Sequence, residues 1–238
     1  MQRARTTARP RRRALWAAAA AAPAALAAAP ALAAAAPVIA TDAVCLRPEQ
    51  EPDGSLVSPA LVVRGSGFSP NAAIAIARGA RPDGAVSDAA GGFLRPISVL
   101  DRLRDDLPRS RPLDIVATDP ALGASNRLRV HTAPLAFSAR PRRTTPSSTV
   151  TFRFSGFEPG RPVYAHYRFG PRVRANVVMG RASSPCGLLT ARRDQIPVRD
   201  PDIGTWRIQF DHRKSFSARA TPRITATVDV FPAAGEGP

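Results

Sequence analysis

The side chains of this sequence best suited to covalent chemistry are its two cysteines, Cys45 and Cys186. A cysteine nucleophile needs a neighbouring base and a third group that orients the base. The side chains that could serve Cys186 in these two roles are His166, His212, Asp211 and Asp202. Such a constellation would make the chain a cysteine-dependent enzyme.

The sequence lacks the motifs that would support catalysis. It has no Gly-x-Ser-x-Gly elbow and no His-Glu-x-x-His motif, and the Ser-His-Gly and Gly-Cys-Arg patterns of the Ig-bearing L,D-transpeptidases are missing. Its three histidines are scattered and make a poor set of metal ligands; His131 and His166 fit strand positions that face water. The sequence therefore predicts a non-enzyme with no catalytic residue, metal or cofactor.

Two cysteines in an exported chain invite one disulfide. A bond between Cys45 and Cys186 would close a long loop, which is worth up to about 4–5 kcal/mol in the chain-entropy model. The alternative is two buried thiols that act as small apolar side chains, because the residues fall in different predicted domains and sandwich disulfides usually lie within one domain. Both interpretations stay open at the level of sequence.

Export is predicted from residues 1–36. Met1–Arg13 is basic, and Ala14–Ala36 is an alanine-rich apolar run with small-residue cleavage sites, so a signal peptide ending near Pro37 is favoured. The alternative is an uncleaved membrane anchor, since the apolar run is long enough to span a bilayer. Arg12-Arg13 fits a twin-arginine signal, although general secretion is favoured. The predicted location is secreted or cell-envelope associated.

One short motif, which we call the turn phrase, occurs twice and organises the rest of the chain. It reads Ser-Gly-Phe-Ser-Pro-Asn at residues 66–71 and Ser-Gly-Phe-Glu-Pro-Gly at residues 155–160. Each copy lies between two apolar runs, which indicates a strand, a sharp turn and a second strand. Proline presets φ at the second turn position, and Asn71 or Gly160 then supplies the positive φ that a type II turn needs. The phenylalanine of each phrase can close the end of a core. The structural residues assigned in this way are Gly67, Phe68 and Pro70 in the first copy and Gly156, Phe157, Pro159 and Gly160 in the second.

The repeat predicts two domains in an all-β chain. Short apolar runs alternate with Gly/Pro/Asp turns, and no sustained 3.6-residue period appears, which indicates two tandem Ig-like β-sandwiches. The first is assigned to residues 37–133, the second to residues 134–232, and residues 233–238 to a disordered tail. Gly67 precedes Phe93 by 26 residues and Gly156 precedes Trp206 by 50, so an insertion is predicted near residues 170–200.

These features together resemble a known family. With both turn phrases, an Asp-to-Gly-to-aromatic element ending in Trp206 and the stretch Pro185-Cys186-Gly187-Leu188, the chain resembles secreted tandem bacterial immunoglobulin-like proteins of high-GC Gram-positive, actinobacterial type. The resemblance implies the fold and an exported location and transfers no catalytic residue. Secreted chromophore-binding apoproteins share this sandwich class but typically carry two disulfides, whereas the two cysteines here allow one.

Charge separates the two halves. Residues 37–133 carry 11 basic and 11 acidic side chains, whereas residues 134–238 carry 17 and 7, a net charge of +10. The excess predicts a surface that attracts anionic polymers; the competing interpretation is a basic surface that reflects an arginine-rich composition. The candidate anion-binding residues are Arg140, Arg142, Arg143, Arg153, Arg161, Arg168, Arg172 and Arg174.

The sequence thus predicts a non-catalytic protein for recognition or structural support at the cell envelope. The expected partner is an anionic cell-wall polymer or another envelope protein. Intracellular nucleic acid is not expected, because no nucleic-acid-binding signature is present and export removes such partners. The alternative function is a small-ligand carrier that uses the end of the second sandwich near Tyr164 and Tyr167, and the cysteine-dependent enzyme ranks third.

Overall fold

The computed structural model describes residues 36–79, 81–142 and 145–231. The signal peptide predicted for residues 1–36 lies almost wholly outside these ranges, as do Arg143 and the tail predicted for residues 233–238. The described chain is β-structure apart from one helical turn, α1 (Leu100–Leu103). Within these ranges no helix has both the length and the apolar character needed to cross a bilayer.

The predicted fold class is confirmed: the chain forms two tandem Ig-like β-sandwiches. The first sandwich has one sheet in the order β1-β5-β8 and a second in the order β2-β11-β9-β6-β7, with β10 on β9 and a separate β3–β4 hairpin. Its strands are β1 (Val38–Ala40), β2 (Cys45–Leu46), β3 (Glu49–Gln50), β4 (Leu56–Val57), β5 (Ala60–Ser66), β6 (Ala73–Arg78), β7 (Arg81–Val86), β8 (Phe93–Ser98), β9 (Arg111–Asp119), β10 (Gly123–Ala124) and β11 (Leu128–Thr132).

The second sandwich packs a three-stranded sheet, ordered β12-β13-β16, against a four-stranded sheet, ordered β15-β14-β17-β18. All of its strand pairs are antiparallel. Its strands are β12 (Ala136–Arg140), β13 (Thr149–Ser155), β14 (Pro162–Phe169), β15 (Arg172–Arg181), β16 (Leu189–Asp194), β17 (Gly204–Asp211) and β18 (Ile224–Val230). Both sandwiches belong to one compact unit.

The strand orders show that residues 170–200 are framework rather than an insertion. The set β1-β5-β8 corresponds to β12-β13-β16, and β7-β6-β9-β11 corresponds to β15-β14-β17-β18. Phe93 therefore corresponds to Leu189 at the start of β16, and Trp206 lies on β17, the counterpart of β9. Matching Phe93 with Trp206 was wrong, because the two aromatic residues lie on strands that are not equivalent, β8 and β17.

The glycine contact before each of these strands supports this correspondence. Gly91 lies so close to the backbone of Phe68 that an added Cβ would come within 2.1 Å of the Phe68 carbonyl oxygen. Gly187 has the same relation to Phe157, with a distance of 1.7 Å. Only a residue without a side chain fits against the turn phrase in this way.

Each sandwich has its own apolar core, built from alternating strand residues. The first core is mainly aliphatic and includes Leu61, Ile74 and Ile115. The second core is aromatic: Phe152, Phe154, Tyr167, Trp206 and Phe210 are all almost completely buried. Phe68 and Phe157 are also buried, at 4% and 0% exposure, so the phenylalanine of each turn phrase belongs to a core.

The residue after each phenylalanine is held by the end of a strand in the facing sheet. The Ser69 amide donates to a carboxylate oxygen of Asp119, which ends β9, over 2.6 Å. The Glu158 amide donates to Nε2 of His212, which directly follows β17, over 3.1 Å. Because β9 and β17 are equivalent strands, the two sandwiches secure the same turn with different side chains.

The turn at Gly160 generates a stability prediction. Gly160 has φ 80°, no heavy atom lies within 4 Å of the position of an added Cβ, and the Arg161 amide closes the turn onto the Glu158 carbonyl over 3.3 Å. We expect Gly160→Val to lower the free energy of unfolding by about 1–3 kcal/mol, because a β-branched residue resists positive φ. Urea denaturation measures this loss.

Gly160→Asn is the matched control, since asparagine tolerates the left-handed region; it should lose much less stability. A Gly160→Val protein with the denaturation midpoint of the wild type would contradict the prediction.

Candidate functional site

Cys45 and Cys186 form a disulfide that joins the two sandwiches, with their Cα atoms 5.5 Å apart and a sequence separation of 141. Cys45 lies on β2 of the first sandwich, and Cys186 lies in the turn before β16 of the second. The Ser110 hydroxyl lies 3.3 Å from the Cys186 sulfur and 3.1 Å from Nδ1 of His131. Because Cys186 is bonded to sulfur, it is not available as the nucleophile of the predicted cysteine site.

Direct hydrogen bonds reinforce this junction. The guanidinium of Arg47 donates to the Phe157 carbonyl over 2.7 Å, so the first sandwich contacts the second turn phrase directly. On the other side of the junction, the Arg223 amide donates to the side-chain oxygen of Gln50 over 2.6 Å. A junction cleft of about 430 Å³ lies between these contacts, bordered by residues 45–50 and by Gly156, Glu158 and Pro222.

His166 is completely buried, which corrects the expectation that it faces water. Its position on β14 does point out of the four-stranded sheet, but the segment after β17 covers it, with the Phe216 ring centroid 6.0 Å away. Its Nδ1 lies 2.6 Å from Oδ1 of Asn176, and its Nε2 lies 3.3 Å from Oδ1 of Asp211. Both partner atoms are acceptors, so a protonated ring can donate to each of them from one of its nitrogens.

The buried pair of His166 and Asp211 is therefore not a catalytic pair for Cys186. Asp211 is already occupied, because it accepts hydrogen bonds from the Gln209 side chain and the Arg213 amide, each over 2.6 Å. The other proposed base, His212, is engaged in the turn contact with Glu158. In the described ranges no group of three His, Cys, Asp or Glu residues could hold a metal ion.

The two buried histidines have opposite protonation preferences. Burial alone would lower the pKa of His166, but its hydrogen bonds to Asp211 and Asn176 outweigh burial, and its pKa is raised. Burial lowers the pKa of His212 and outweighs the hydrogen bond to Pro162. His212 must donate from Nδ1 to the Pro162 carbonyl, over 2.7 Å, and accept at Nε2 from Glu158, which requires a neutral ring.

The three-stranded sheet of the second sandwich carries what we call the arginine face, its outer surface. Phe152 and Phe154 of β13 point into the core, so Thr151 and Arg153 point outward. In the register, Thr151 lies between Arg140 and Arg192, and Arg153 lies between Ser138 and Thr190. Three arginines thus alternate with three hydroxyl side chains, and Arg140, Arg153 and Arg192 are all exposed.

Arg192 was missed by the sequence reasoning because residues 170–200 were assigned to an insertion. The available signal was the alternation along β16, where Leu189 and Ala191 face inward and Thr190 and Arg192 face outward. The acidic residue on this face is Asp194, at the end of β16, opposite Thr149. Among the described residues, none of the three arginines of this face forms a salt bridge.

The remaining candidate arginines do not extend this face, so the single continuous patch expected from the sequence is divided. Arg168 lies on the opposite outer surface, with its guanidinium carbon 4.4 Å from the centroid of the Phe216 ring. Arg161 pairs with Glu158 over 2.7 Å, and Arg174 pairs with Asp202. Arg172 is exposed beside the β14–β15 turn.

Two arginines of the arginine face, Arg140 and Arg153, also line a cavity at the edge of that face. The arginine hollow, a cavity of about 220 Å³, is lined by Arg140, Arg142 and Arg153 of the second sandwich and by Leu107, Pro108 and Arg109 of the first. Arg109 pairs with Asp105 over 3.2 Å. The hollow unites three of the predicted arginines and adds one from the first sandwich that the sequence did not indicate.

An apolar cleft of about 360 Å³ opens between β12 and β18, the edge strands of the two sheets of the second sandwich. This position differs from the ligand site expected near Tyr164 and Tyr167. Tyr167 is buried in the core, and burial raises the pKa of its hydroxyl. Neither tyrosine lines the apolar cleft, the arginine hollow or the junction cleft.

Comparison with known proteins adds no functional assignment. No family model matches the chain, and no curated protein matches it. Among solved structures, the chain is similar to the D00-D0 domain of intimin, with 11% identity over 82% of this chain and 100% of that chain and a TM-score of 0.33. It is also similar to a DUF3823 family protein from Bacteroides ovatus, with 13% identity, coverage of 82% and 97% and a TM-score of 0.26. The class assigned to the protein, a tandem Ig-like sandwich, therefore rests on its own sheets.

The disulfide generates a redox prediction. We expect the unreduced protein, unfolded in denaturant, to take up no alkylating reagent and the reduced protein to take up two equivalents, as measured by intact mass. Replacing both cysteines, Cys45→Ser with Cys186→Ser, should cost about 4–5 kcal/mol in the chain-entropy model, because the unfolded chain regains the freedom of a long loop. Two alkylated thiols in the unreduced protein would contradict the bond.

The buried histidines generate a pH prediction. Relative to the ordinary value of 6.5, imidazole NMR titration should give a higher pKa for His166 and a lower pKa for His212. His166 then stabilises the fold below pH 6.5, and its contribution is lost as pH rises through its raised pKa. The contribution of His212 is complete above pH 6.5 and is lost as pH falls through its lowered pKa.

Single variants assign these resonances, with His166→Gln and His212→Gln each removing one titration. Shifts of His166 and His212 in the same direction would contradict the tautomers assigned from the hydrogen bonds.

Proposed function

We propose that this protein is an exported, non-catalytic Ig-like protein that acts in recognition or structural support at the cell envelope and binds an anionic polymer through its arginine face. The observation that carries the proposal is the alternation of Arg140, Arg153 and Arg192 with hydroxyl side chains on one exposed sheet surface. Export is supported by the basic and alanine-rich residues 1–36, and a disulfide fits an oxidising compartment.

The spacing of the arginine face suits a linear polyanion. Neighbouring strands lie about 4.8 Å apart, so the Cα atoms of Arg140 and Arg192 are about 10 Å apart across the sheet. Arg153 lies between them, one strand and two residues away. The hydroxyl groups of Ser138, Thr151 and Thr190 fill the intervening positions and can donate hydrogen bonds to phosphate, sulfate or carboxylate oxygens. The register of the sheet thus presents charge and hydrogen-bond donors in a regular pattern.

The contrast with the first sandwich supports a binding role rather than a compositional excess of arginine. In the first sandwich, exposed arginines are matched with carboxylates, as in the Arg64–Asp42, Arg95–Asp83 and Arg129–Asp114 pairs at 2.7, 2.9 and 2.7 Å. Repulsion among the arginines of the arginine face is not relieved in this way. An anionic ligand would relieve it, which favours binding at low ionic strength.

This proposal predicts that charge position, and not charge alone, sets polymer binding. In the mature full-length protein, the triple variant Arg140→Gln, Arg153→Gln and Arg192→Gln should elute from heparin, and from an immobilised glycerol-phosphate polymer, at much lower salt than the wild type. If each arginine contacts one anionic group, the slope of log affinity against log salt should fall by up to about three.

The matched control removes the same charge from exposed arginines elsewhere on the second sandwich. Arg207 lies on the four-stranded sheet, and Arg213 and Arg219 lie in the segment after it. The triple variant Arg207→Gln, Arg213→Gln and Arg219→Gln should retain most of the wild-type retention. Equal losses in the two triple variants would show that binding follows net charge only, and the arginine face would then have no specific role.

A further inference from the structure

The apolar cleft is a second candidate ligand site on the second sandwich, separate from the outer surface that carries the arginine face. Its apolar lining comes from both sheets of the second sandwich, along one side of it. Phe152 and Ile208 form its floor and are each 1% exposed. Its walls are the half-buried side chains of the two edge strands, Phe137 and Ala139 on β12 and Ala226 and Val228 on β18.

The cleft exists because the two sheets are not closed along this side. β12 and β18 are both edge strands, and no strand in the described chain pairs with their free edges. Its volume of about 360 Å³ falls in the range of small-molecule sites, which are usually mainly apolar with a few polar groups that fix orientation. Here the polar groups include Arg142 and the side chain of Gln195, which is 8% exposed.

One end of the cleft opens onto positive charge. Ser138, Ala139 and Arg142 line both the apolar cleft and the arginine hollow, so the two cavities adjoin. A molecule in the cleft would therefore have its apolar part against phenylalanine and aliphatic side chains. Its end would lie beside Arg140, Arg142 and Arg153.

We propose that the apolar cleft binds a single-chain amphiphile with an anionic head, of the fatty-carboxylate class, with its chain between β12 and β18 and its carboxylate beside Arg142. Charge complementarity selects this occupant. A neutral apolar molecule would leave the arginines unused, and a cationic amphiphile would be repelled. A cavity of this size also matches one flexible chain better than an added peptide strand, which would need an extended groove.

The acyl chain of the amphiphile would occupy the interior side of β12, whereas the polymer would lie on the exterior side of the same sheet. The two sites adjoin at the arginine hollow, where Arg140 and Arg153 of the arginine face lie beside the amphiphile's carboxylate. The residues that distinguish the two sites are Ala226 and Val228 for the amphiphile and Arg192 for the polymer. Each site can therefore be removed without the other.

Calorimetric titration of the mature full-length protein with hexanoate, octanoate and decanoate tests whether the acyl chain of the ligand is buried in the cleft. Each added methylene that becomes buried should tighten binding about fourfold. Decanol is the matched neutral probe and should bind about two- to fivefold more weakly than decanoate, which is the contribution expected of an exposed ion pair. Affinity that is independent of chain length, or equal binding of decanol and decanoate, would overturn the proposal.

Two substitutions locate the site. Ala226→Trp fills the cleft and should abolish decanoate binding without changing retention on heparin. Thr225→Trp is its control, because the neighbouring residue on β18 points away from the cleft and is exposed; it should bind decanoate normally. Unchanged binding by the Ala226→Trp protein would place the ligand elsewhere and overturn the proposal.

A surface substitution keeps the test independent of core packing. Arg142→Gln should weaken decanoate about two- to fivefold and leave decanol unaffected, whereas Arg207→Gln, on the opposite sheet, should change neither. If Arg142→Gln leaves decanoate binding unchanged, the carboxylate does not lie in the arginine hollow and the proposed orientation is wrong. Arg192 lines neither the apolar cleft nor the arginine hollow, so Arg192→Gln should lower heparin retention and leave decanoate binding intact, which separates the two functions.

Discussion

The structure depends on the backbone of the second turn phrase, where four hydrogen bonds join the turn to other parts of the chain. The Gly156 amide donates to the Cys186 carbonyl over 3.2 Å, and the Gly160 amide donates to the Ala182 carbonyl over 2.8 Å. The Glu158 amide is held by His212, and the Phe157 carbonyl accepts from Arg47 of the first sandwich. A buried backbone group without a partner is costly, so these contacts fix the turn, the disulfide loop and the junction together.

The two sandwiches share the same strand order but differ in how the equivalent turn is held and in what it contacts. In the first sandwich the turn is held by Asp119, which also accepts amide hydrogen bonds from Ala121 and Leu122. All of these contacts lie within the first sandwich. In the second sandwich, His212 holds the equivalent amide, and the neighbouring Phe157 carbonyl accepts a hydrogen bond from Arg47 of the first sandwich. Arg109 of the first sandwich also reaches the second, so the charged surface near β12 contains residues from both sandwiches.

Sequence reasoning found most of the fold and part of the site, and its errors have identifiable causes. The alternation along β14 correctly placed His166 on the outer side of its sheet, but alternation does not reveal that a later segment covers that side. The aromatic side chain of Phe93 suggested Trp206 as its counterpart. The close backbone contacts of Gly91 and Gly187 with the turn phrases instead show that β8 is equivalent to β16. Treating residues 170–200 as an insertion then concealed Arg192 from the list of surface arginines.

The sequence by itself determined the all-β character, the two turn phrases with their positive-φ residues and core phenylalanines, and the concentration of charge in the second half. These are consequences of local backbone preference, period-two alternation and composition. Only the tertiary structure decided that Cys45 meets Cys186, that Arg153 and Arg168 lie on opposite faces, and that Arg109 joins Arg142 at one hollow. The physical reason is that a strand pattern tells which residues share a side of their own sheet, whereas the stacking of sheets and the covering segments depend on contacts between residues far apart in sequence.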